Sequence, residues 1–393
     1  MKILIACDSF KDALPALDVC RSIQQGLKKA SQDVETVIFP LADGGEGTFD
    51  VLHHHIGLQR EELIVNDPLF RPTKAFYGVS ADNKVAFIEM AQAAGLQKLW
   101  PQERNPMKTS TFGVGEMILH AISREKTEKI ILTLGSSSTN DAGMGMAAAL
   151  GFSFLDRNNQ RLRPIGESLI AVDKISVIDN VIFDIFFKKI NRGVTVEVLC
   201  DVTNPLFGEN GAAYTYAKQK GATEDMMRSL DEGLRNFARV NQLRDVTYDF
   251  EGAGAAGGLG YGAKIFLDAK LRRGADVIMS LTNFDEQLQD IDLIITGEGK
   301  LDAQTSNGKL IECICKKAAK KNIPVIALCG AVEASPALIN KIGLLAAFPI
   351  QQEPISLEQA LIQTRTHLER TAFNILRVWE HWLVAPELQL NWL

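Results

Sequence analysis

Five short segments of this 393-residue chain join a carboxylate to glycine or small hydroxyl residues, and each comes after a run of aliphatic and β-branched residues. Asp8-Ser9-Phe10-Lys11 comes after Ile3–Ala6, and Ala42-Asp43-Gly44-Gly45-Glu46-Gly47-Thr48 after Val34–Phe39. Thr296-Gly297-Glu298-Gly299-Lys300-Leu301-Asp302 comes after Ile291–Ile295. Gly135-Ser136-Ser137-Ser138-Thr139-Asn140-Asp141-Ala142-Gly143 succeeds Lys129–Leu134, and Asp201-Val202-Thr203-Asn204-Pro205 succeeds Val194–Cys200. One such loop is an ordinary turn with a capping acid. Five at the carboxyl ends of parallel strands, where open α/β sheets bind ligands, form a pattern. Acids repel a phosphate unless they hold Mg²⁺ or act as a base, and Lys11, Lys300 and Lys309 carry the opposite charge. Carboxylates, cations and bare glycine backbone are the parts of metal-assisted phosphoryl transfer.

The elements that must position these residues alternate. Strand-like runs at Ile3–Ala6, Val34–Phe39 and Leu63–Val65 are separated by a helical pattern over Ala16–Ala30 and a helix after Gly47. The rhythm returns in Ile291–Thr296, a helix from about Lys309 to Lys320, Val325–Cys329, Leu344–Phe348 and a long helix from Leu357. That helix opens with Ser356 and Gln359 at capping-box spacing. Between the two halves, Asp67-Pro68-Leu69-Phe70-Arg71-Pro72 reads as a linker, because neither proline continues a central element. Strands at Ala75–Val79, Val85–Met90, Lys129–Leu134 and Val194–Cys200, with helices near Gly113–Ser123, Ala142–Leu150 and Glu224–Val240, belong to a second domain starting at that linker. The expectation is an α/β protein in which a doubly wound, mostly parallel sheet domain (1–70 plus 285–393) is interrupted by an inserted α/β domain (71–284). The active site is expected in the cleft between the two.

Composition narrows the function. Hydrophobic residues at 46% and charged residues at 23% are those of a folded globular protein. A net charge of −6 with scattered lysines and arginines argues against nucleic acid. The apolar start of MKILIACDSF is too short for a signal peptide and no run approaches a membrane span, so the expectation is a cytoplasmic protein with no membrane partner. Its six cysteines read as buried thiols, and the Cys313-x-Cys315 pair, on different helix faces, does not suggest zinc. Residues 252–257 match G-x-G-x-x-G, but the acid nineteen positions on, Asp276, precedes an apolar run instead of ending a strand. A glycine-rich contact between backbones competes evenly there with a phosphate cradle. Gly308-Lys309-Leu310 with Ala303 fails the P-loop pattern. His53, His54 and His55 cannot converge on one metal, and no histidine sits in a nucleophile setting. Glu89 reads as a helix-capping acid or a functional one.

Taken together, the motifs resemble the bacterial one-chain (type I) glycerate kinase family. The resembling segments are Asp8–Lys11, Leu41–Thr48, Arg104-Asn105-Pro106, Ser138–Asp141, Asp201–Leu206, Gln219-Lys220-Gly221-Ala222, Gly252–Gly260 and Ile295–Gly299, in the family's order along nearly the whole chain. Departures are Cys7 at a usual proline, and Asp12, Ser136 and Ala142 at usual glycines. The resemblance implies ATP-dependent, Mg²⁺-assisted phosphorylation of glycerate, with the 2-hydroxyl favoured over the 3-hydroxyl. For the base, Asp8 or Asp201 is expected, and for metal Asp43, Glu46 or Glu298, with Lys11 and Lys300 neutralising charge. Substrate and phosphate groups are assigned to Ser9, Gly135, Ser136, Ser137, Ser138, Thr139, Asn140, Asp141, Asn204, Gly254, Gly257, Gly258, Gly297, Gly299 and Lys300. A homodimer is allowed but not required. The rivals are an NAD(P)-dependent hydroxy-acid dehydrogenase using Gly252–Gly257 and a two-lobed sugar-acid sensor without chemistry.

Overall fold

The structure, a computed structural model, describes residues 1–177, 181–241, 248, 250–302 and 310–384. Lys309 and the Ala303–Gly308 segment, where the P-loop pattern fails, lie outside the described residues. The chain forms two compact units, Met1–Asp43 with Ala275–Leu393, and Gly44–Gly274. Mixed α/β architecture with mostly parallel pairing holds in both.

The first unit is built on a five-stranded sheet in the order Ala346–Pro349, Val325–Val332, Leu293–Leu301, Lys2–Cys7, Glu35–Ile38. All four pairings are parallel. From Lys2–Cys7 the chain steps one way to Glu35–Ile38, and from Leu293–Leu301 it steps the other way. Because β-α-β crossovers are right-handed, the two directions place their helices on opposite faces. Ile3, Ile5 and Ile295 pack with Val19, Ile23 and Leu27 of the helix Ala16–Ala30 and with Leu368, Ala372 and Ile375 of the helix Leu357–Val384. Alternate strand residues Leu4, Ala6 and Ile294 are buried as well, as a parallel sheet covered on both sides requires. Each such aliphatic side chain contributes roughly 1.5–3 kcal/mol on burial. The two helices come close at Gly26, where a Cβ would meet the Glu369 carbonyl oxygen at 2.1 Å.

The second unit carries a six-stranded sheet in the order Lys270–Arg272, Thr195–Leu199, Lys129–Thr133, Val85–Glu89, Pro72–Val79, Gln59–Asn66. Its first four strands are parallel and the last two pairings antiparallel. The strand containing Leu63–Val65 therefore belongs to this sheet and not to the first. Asp67–Pro72 is a hairpin turn, not a linker. The Asp67 carboxylate accepts from Leu69 N (2.8 Å), Arg71 N (2.9 Å) and Arg71 Nε (2.6 Å), and closes the turn around Pro68. Pro72 opens the next strand, a place where its missing N–H is tolerated. Elements that escaped the sequence reading include the antiparallel pair Phe152–Leu155 and Lys174–Val177, the strand Lys270–Arg272, and the helices Val181–Asn191, Ala255–Leu267, Gly274–Leu281 and Pro336–Ile342. The glycine-rich stretch is helical from Ala255 to Leu267, with Ala256, Gly257 and Gly258 left-handed near its start.

Candidate active site

In the first unit the strand order reverses between Lys2–Cys7 and Leu293–Leu301, which makes their carboxyl ends the topological switch point. Register pairs Cys7 with Gly297 and Gly297 with Leu328. Asp8 donates its N–H to the Gly297 carbonyl at 3.0 Å, and Leu41 donates to the Cys7 carbonyl at 2.9 Å, leading the chain toward Asp43. Three candidate acids are thus brought into electrostatic contact. Burial pushes the Asp8 carboxyl well above the ordinary carboxylate range, and repulsion from Asp43 and Glu298 adds to it, against the pull of the Ser9 N–H at 2.6 Å. A carboxylate so destabilised in its charged form is a stronger proton acceptor than a solvated one.

Two expectations at this edge change. The segment Gly297–Leu301 is not a loop after the strand but part of it, since the strand runs from Leu293 to Leu301. Gly297 serves close approach, since a Cβ there would meet the Leu328 carbonyl oxygen at 2.2 Å; on the neighbouring strand a Cβ at Gly330 would meet the Gly299 carbonyl oxygen at 2.5 Å, while a Cβ at Gly299 has room. Lys300, an expected cation for the transferred group, is paired with Glu333 at 2.9 Å and Asp302 at 3.9 Å. Lys11 is exposed, and its backbone N lies 3.7 Å from the position a Gly299 Cβ would take.

In the second unit the ladder pairs Glu89 with Thr133 and Thr133 with Leu199. The residues after these strands leave the sheet at one edge. Gly135 packs on the Gly44–Gly47 loop so closely that a Cβ would lie 2.7 Å from the Gly45 Cα, and Ser136 Oγ donates to Glu46 Oε2 at 2.7 Å. Of the two readings of Glu89, the geometry shows a capping contact made from another element: its carboxylate accepts from the Phe49 N–H at 2.8 Å, at the start of the helix Thr48–Ile56. Burial pushes its pKa up to about 7 despite that bond.

The other expected binding residues divide by how their polar groups are used. Asp141 is buried and accepts from Thr111 N (2.7 Å), Thr111 Oγ1 (2.8 Å), Gly145 N (3.1 Å) and Gly143 N (3.2 Å), so it organises its loop. Ser138 Oγ donates to the Ala94 carbonyl at 2.9 Å. Asn204 accepts from the Tyr216 hydroxyl at 2.6 Å and donates to the Asn210 carbonyl at 2.8 Å. Asp201 Oδ1 accepts from the Gly274 N–H at 2.9 Å. Thr139 and Asn140 differ. Both are buried, and the Thr139 hydroxyl and both polar atoms of the Asn140 amide have no hydrogen-bond partner among the described residues.

Gly254, Gly257 and Gly258 act where backbones meet. A Cβ on them would lie 2.2 Å from the Pro205 carbonyl oxygen, 2.0 Å from that of Thr139 and 2.9 Å from the Ala142 Cα. The N–H of Gly254 is spent on the Asn204 carbonyl, and the Gly257 carbonyl accepts from Ala142 N, each at 3.0 Å. Of the two readings of this stretch, contact between backbones is the one the geometry favours.

Lys220 lies in one of the resembling motifs, yet sequence gives it no role. It is 1% exposed, and its ammonium donates to Ser137 Oγ and to the Thr139 carbonyl, each at 2.7 Å. Nothing in Gln219-Lys220-Gly221 distinguishes it from a surface lysine. All six cysteines are free thiols. His53 Nδ1 donates to the Leu58 carbonyl at 2.7 Å, and His120 Nδ1 shares a hydrogen bond with the Tyr77 hydroxyl at 2.8 Å, both as packing partners. No helix among the described residues is long and apolar enough to cross a membrane.

A doubly wound sheet with coupled acids at its switch point, in a chain whose second unit carries glycine and hydroxyl loops, defines an α/β phosphotransferase. A model of the glycerate kinase family matches residues 3–380, and the chain belongs to that family. It is 42% identical to a glycerate kinase of Bacillus cereus over 386 residues, covering 97% of this chain and 98% of the relative. It is 36% identical to a glycerate 2-kinase of Escherichia coli over 379 residues, 95% and 97% of the two chains. Among solved structures, a putative glycerate kinase 2 from Salmonella typhimurium LT2 matches with a TM-score of 0.77 at 38% identity, covering 97% of this chain and 98% of that one.

Proposed function

We propose that this chain transfers the terminal phosphoryl group of ATP to the 2-hydroxyl of glycerate, with Mg²⁺. The observation that carries the reading is the Asp8 carboxyl, raised by burial and by its acidic neighbours at the switch point. Family membership supports the kinase class, and the E. coli relative named glycerate 2-kinase supports the 2-hydroxyl.

In this reading Asp8 accepts the proton of the substrate hydroxyl. That oxygen forms its bond to the terminal phosphorus as the bond from phosphorus to the bridging oxygen of the departing ADP breaks. Asp43 and Glu298 offer oxygen donors beside it. Among the described residues no three histidines, cysteines or acids are arranged to hold a metal unaided. Two carboxylates would be enough for Mg²⁺, which takes one or two and completes its shell with phosphate oxygens and water. When bound there it would offset the charge of the phosphates. Lys11, exposed and without an ion pair among the described residues, serves the transferred group better than Lys300. Ser136 Oγ and Glu46 Oε2 are spent on each other at the loop surface of the second unit, and that bond would have to open for Ser136 to meet a phosphate or Glu46 a metal.

The test is incubation with ATP, Mg²⁺ and D-glycerate, with the product read by phosphorus and proton NMR. The reading expects ADP and 2-phosphoglycerate in equal amounts. Phosphate on the 3-hydroxyl would correct the position, and no ADP would refute the activity.

A further inference from the structure

We infer that Lys220 is the counter-charge, set beneath the Ser137–Asn140 loop, for an oxyanion that docks on that loop. The inference rests on the kinase reading only in taking that oxyanion to be a substrate carboxylate or phosphate oxygen.

A lysine this deeply buried is uncommon without an acid in contact. Its described hydrogen-bond partners are both neutral, the Ser137 hydroxyl and the Thr139 carbonyl. An ammonium has three donors, so two are placed and one is uncommitted among the described residues. The charged group acting on it is Asp141, whose attraction only partly offsets the burial, while the Arg104 main chain packs on the neighbouring Gly221. Asp141 spends its own oxygens on Thr111, Gly143 and Gly145. A buried cation with neutral partners costs the fold stability, and a methionine would fill the slot without that cost.

Thr139, the loop residue whose carbonyl accepts from Lys220, and its neighbour Asn140 carry unsatisfied side chains. The Thr139 hydroxyl and the Asn140 amide are buried polar groups with no partner among the described residues. Groups left so usually mark a water or a ligand. A donor hydroxyl, a donor amide and a desolvated positive charge in one loop suit an oxyanion, whose field in a low-dielectric setting is strong. Burial lowers the Lys220 pKa to about 7. An anion bound above it stabilises the charged form, so binding at pH 8 must draw a proton from the buffer.

The experiment is titration calorimetry at pH 8 on the full chain, without nucleotide, in two buffers of different ionisation enthalpy. The probes are D-glycerate and inorganic phosphate, which separate a carboxylate from a phosphate subsite. The inference expects at least one probe to bind with uptake of about half a proton per site. It expects Lys220→Met to abolish that uptake and weaken the same probe by about tenfold or more, with Lys220→Arg recovering part of the affinity. A lysine that only braces the loop would not couple binding to a proton. The uptake is measured on the wild-type chain, so a variant that fails to fold leaves the result standing. Binding without uptake, equal affinity in Lys220→Met, or no binding of either probe would overturn the inference. Glycerate phosphorylation combined with any of these leaves the kinase reading intact, whereas proton-coupled phosphate binding without glycerate phosphorylation removes the kinase reading and keeps this one.

Discussion

Asp8 donates its main-chain N–H to the carbonyl of Gly297 at 3.0 Å, which pins the end of the first strand to the strand carrying Glu298. Residues almost three hundred positions apart in sequence are thereby fixed at one switch point, and the mutual repulsion of their carboxylates is built into the backbone geometry. The fold holds these acids together against their electrostatic preference. Such strain at a functional edge is expected to trade stability for chemistry.

The three departures from the family's glycines carry a measurable cost. Asp12, Ser136 and Ala142 all have left-handed backbone, with φ of 61°, 56° and 51°. A side chain there costs roughly 1 kcal/mol that glycine avoids. Ala142→Gly and Ser136→Gly should each raise the denaturation midpoint by an amount equivalent to about 1 kcal/mol, less whatever chain entropy glycine adds to the unfolded state. A lowered midpoint in both would show that their side chains contribute more than their backbone costs.

Gly257 makes the opposite prediction. Its φ is 70° and a Cβ would sit 2.0 Å from the Thr139 carbonyl oxygen and 2.6 Å from the Asn140 Cα, both main-chain atoms. Gly257→Ala should destabilise the chain by about 3 kcal/mol or more, seen as a lower urea midpoint even with no ligand present. Wild-type stability with lost ligand affinity would restore the cradle reading of this stretch.

Glu89 gives a pH signature. Its folded pKa of about 7 lies above the ordinary 4.5, so the folded chain holds that proton more tightly than the unfolded one. Stability from this group is therefore present below about pH 4.5 and lost as pH rises through about 7. Glu89→Gln should remove that decline and, at pH 8, gain on the order of 3 kcal/mol relative to wild type. Parallel stability curves for the two proteins across this window would contradict the assignment.

The lysines at the first unit's edge should separate. Lys11→Met should lower kcat by about 10²–10³-fold, while Lys300→Met, whose charge already answers Glu333 and Asp302, should lower it far less. A coupled ADP assay reads both. Equal losses would mean that the Lys300 ion pairs open during turnover.

Much of the fold was legible in the sequence. The helix Ala16–Ala30 and the strands Lys129–Thr133 and Val325–Val332 come from periodicity, because burial on one or both faces imposes it directly on the sequence. What pattern cannot say is which sheet a strand joins. Only Leu63–Val65 of Gln59–Asn66 reads as a strand, and its place is decided by the antiparallel partner across Asp67–Arg71. Gly297 and Gly299 read as a loop because glycine usually breaks strands, whereas here Gly297 lets the neighbouring strand approach. In the candidate site, Asp8 and Asp43 stand out in the sequence because they follow strand-like runs, whereas Glu298 lies within its strand. Lys220 escaped because burial is a tertiary property, and its partners Ser137 and Thr139 lie more than eighty residues earlier.

The central claim is that Asp8 takes the hydroxyl proton, and the direct measurement is kcat for glycerate phosphorylation by Asp8→Asn alongside its melting temperature. The account predicts a fall of about 10²–10⁴-fold in a chain that melts no lower than wild type, because one of three repelling charges has gone. Turnover within about twofold of wild type, well short of a general base's contribution, in an equally folded Asp8→Asn would contradict it.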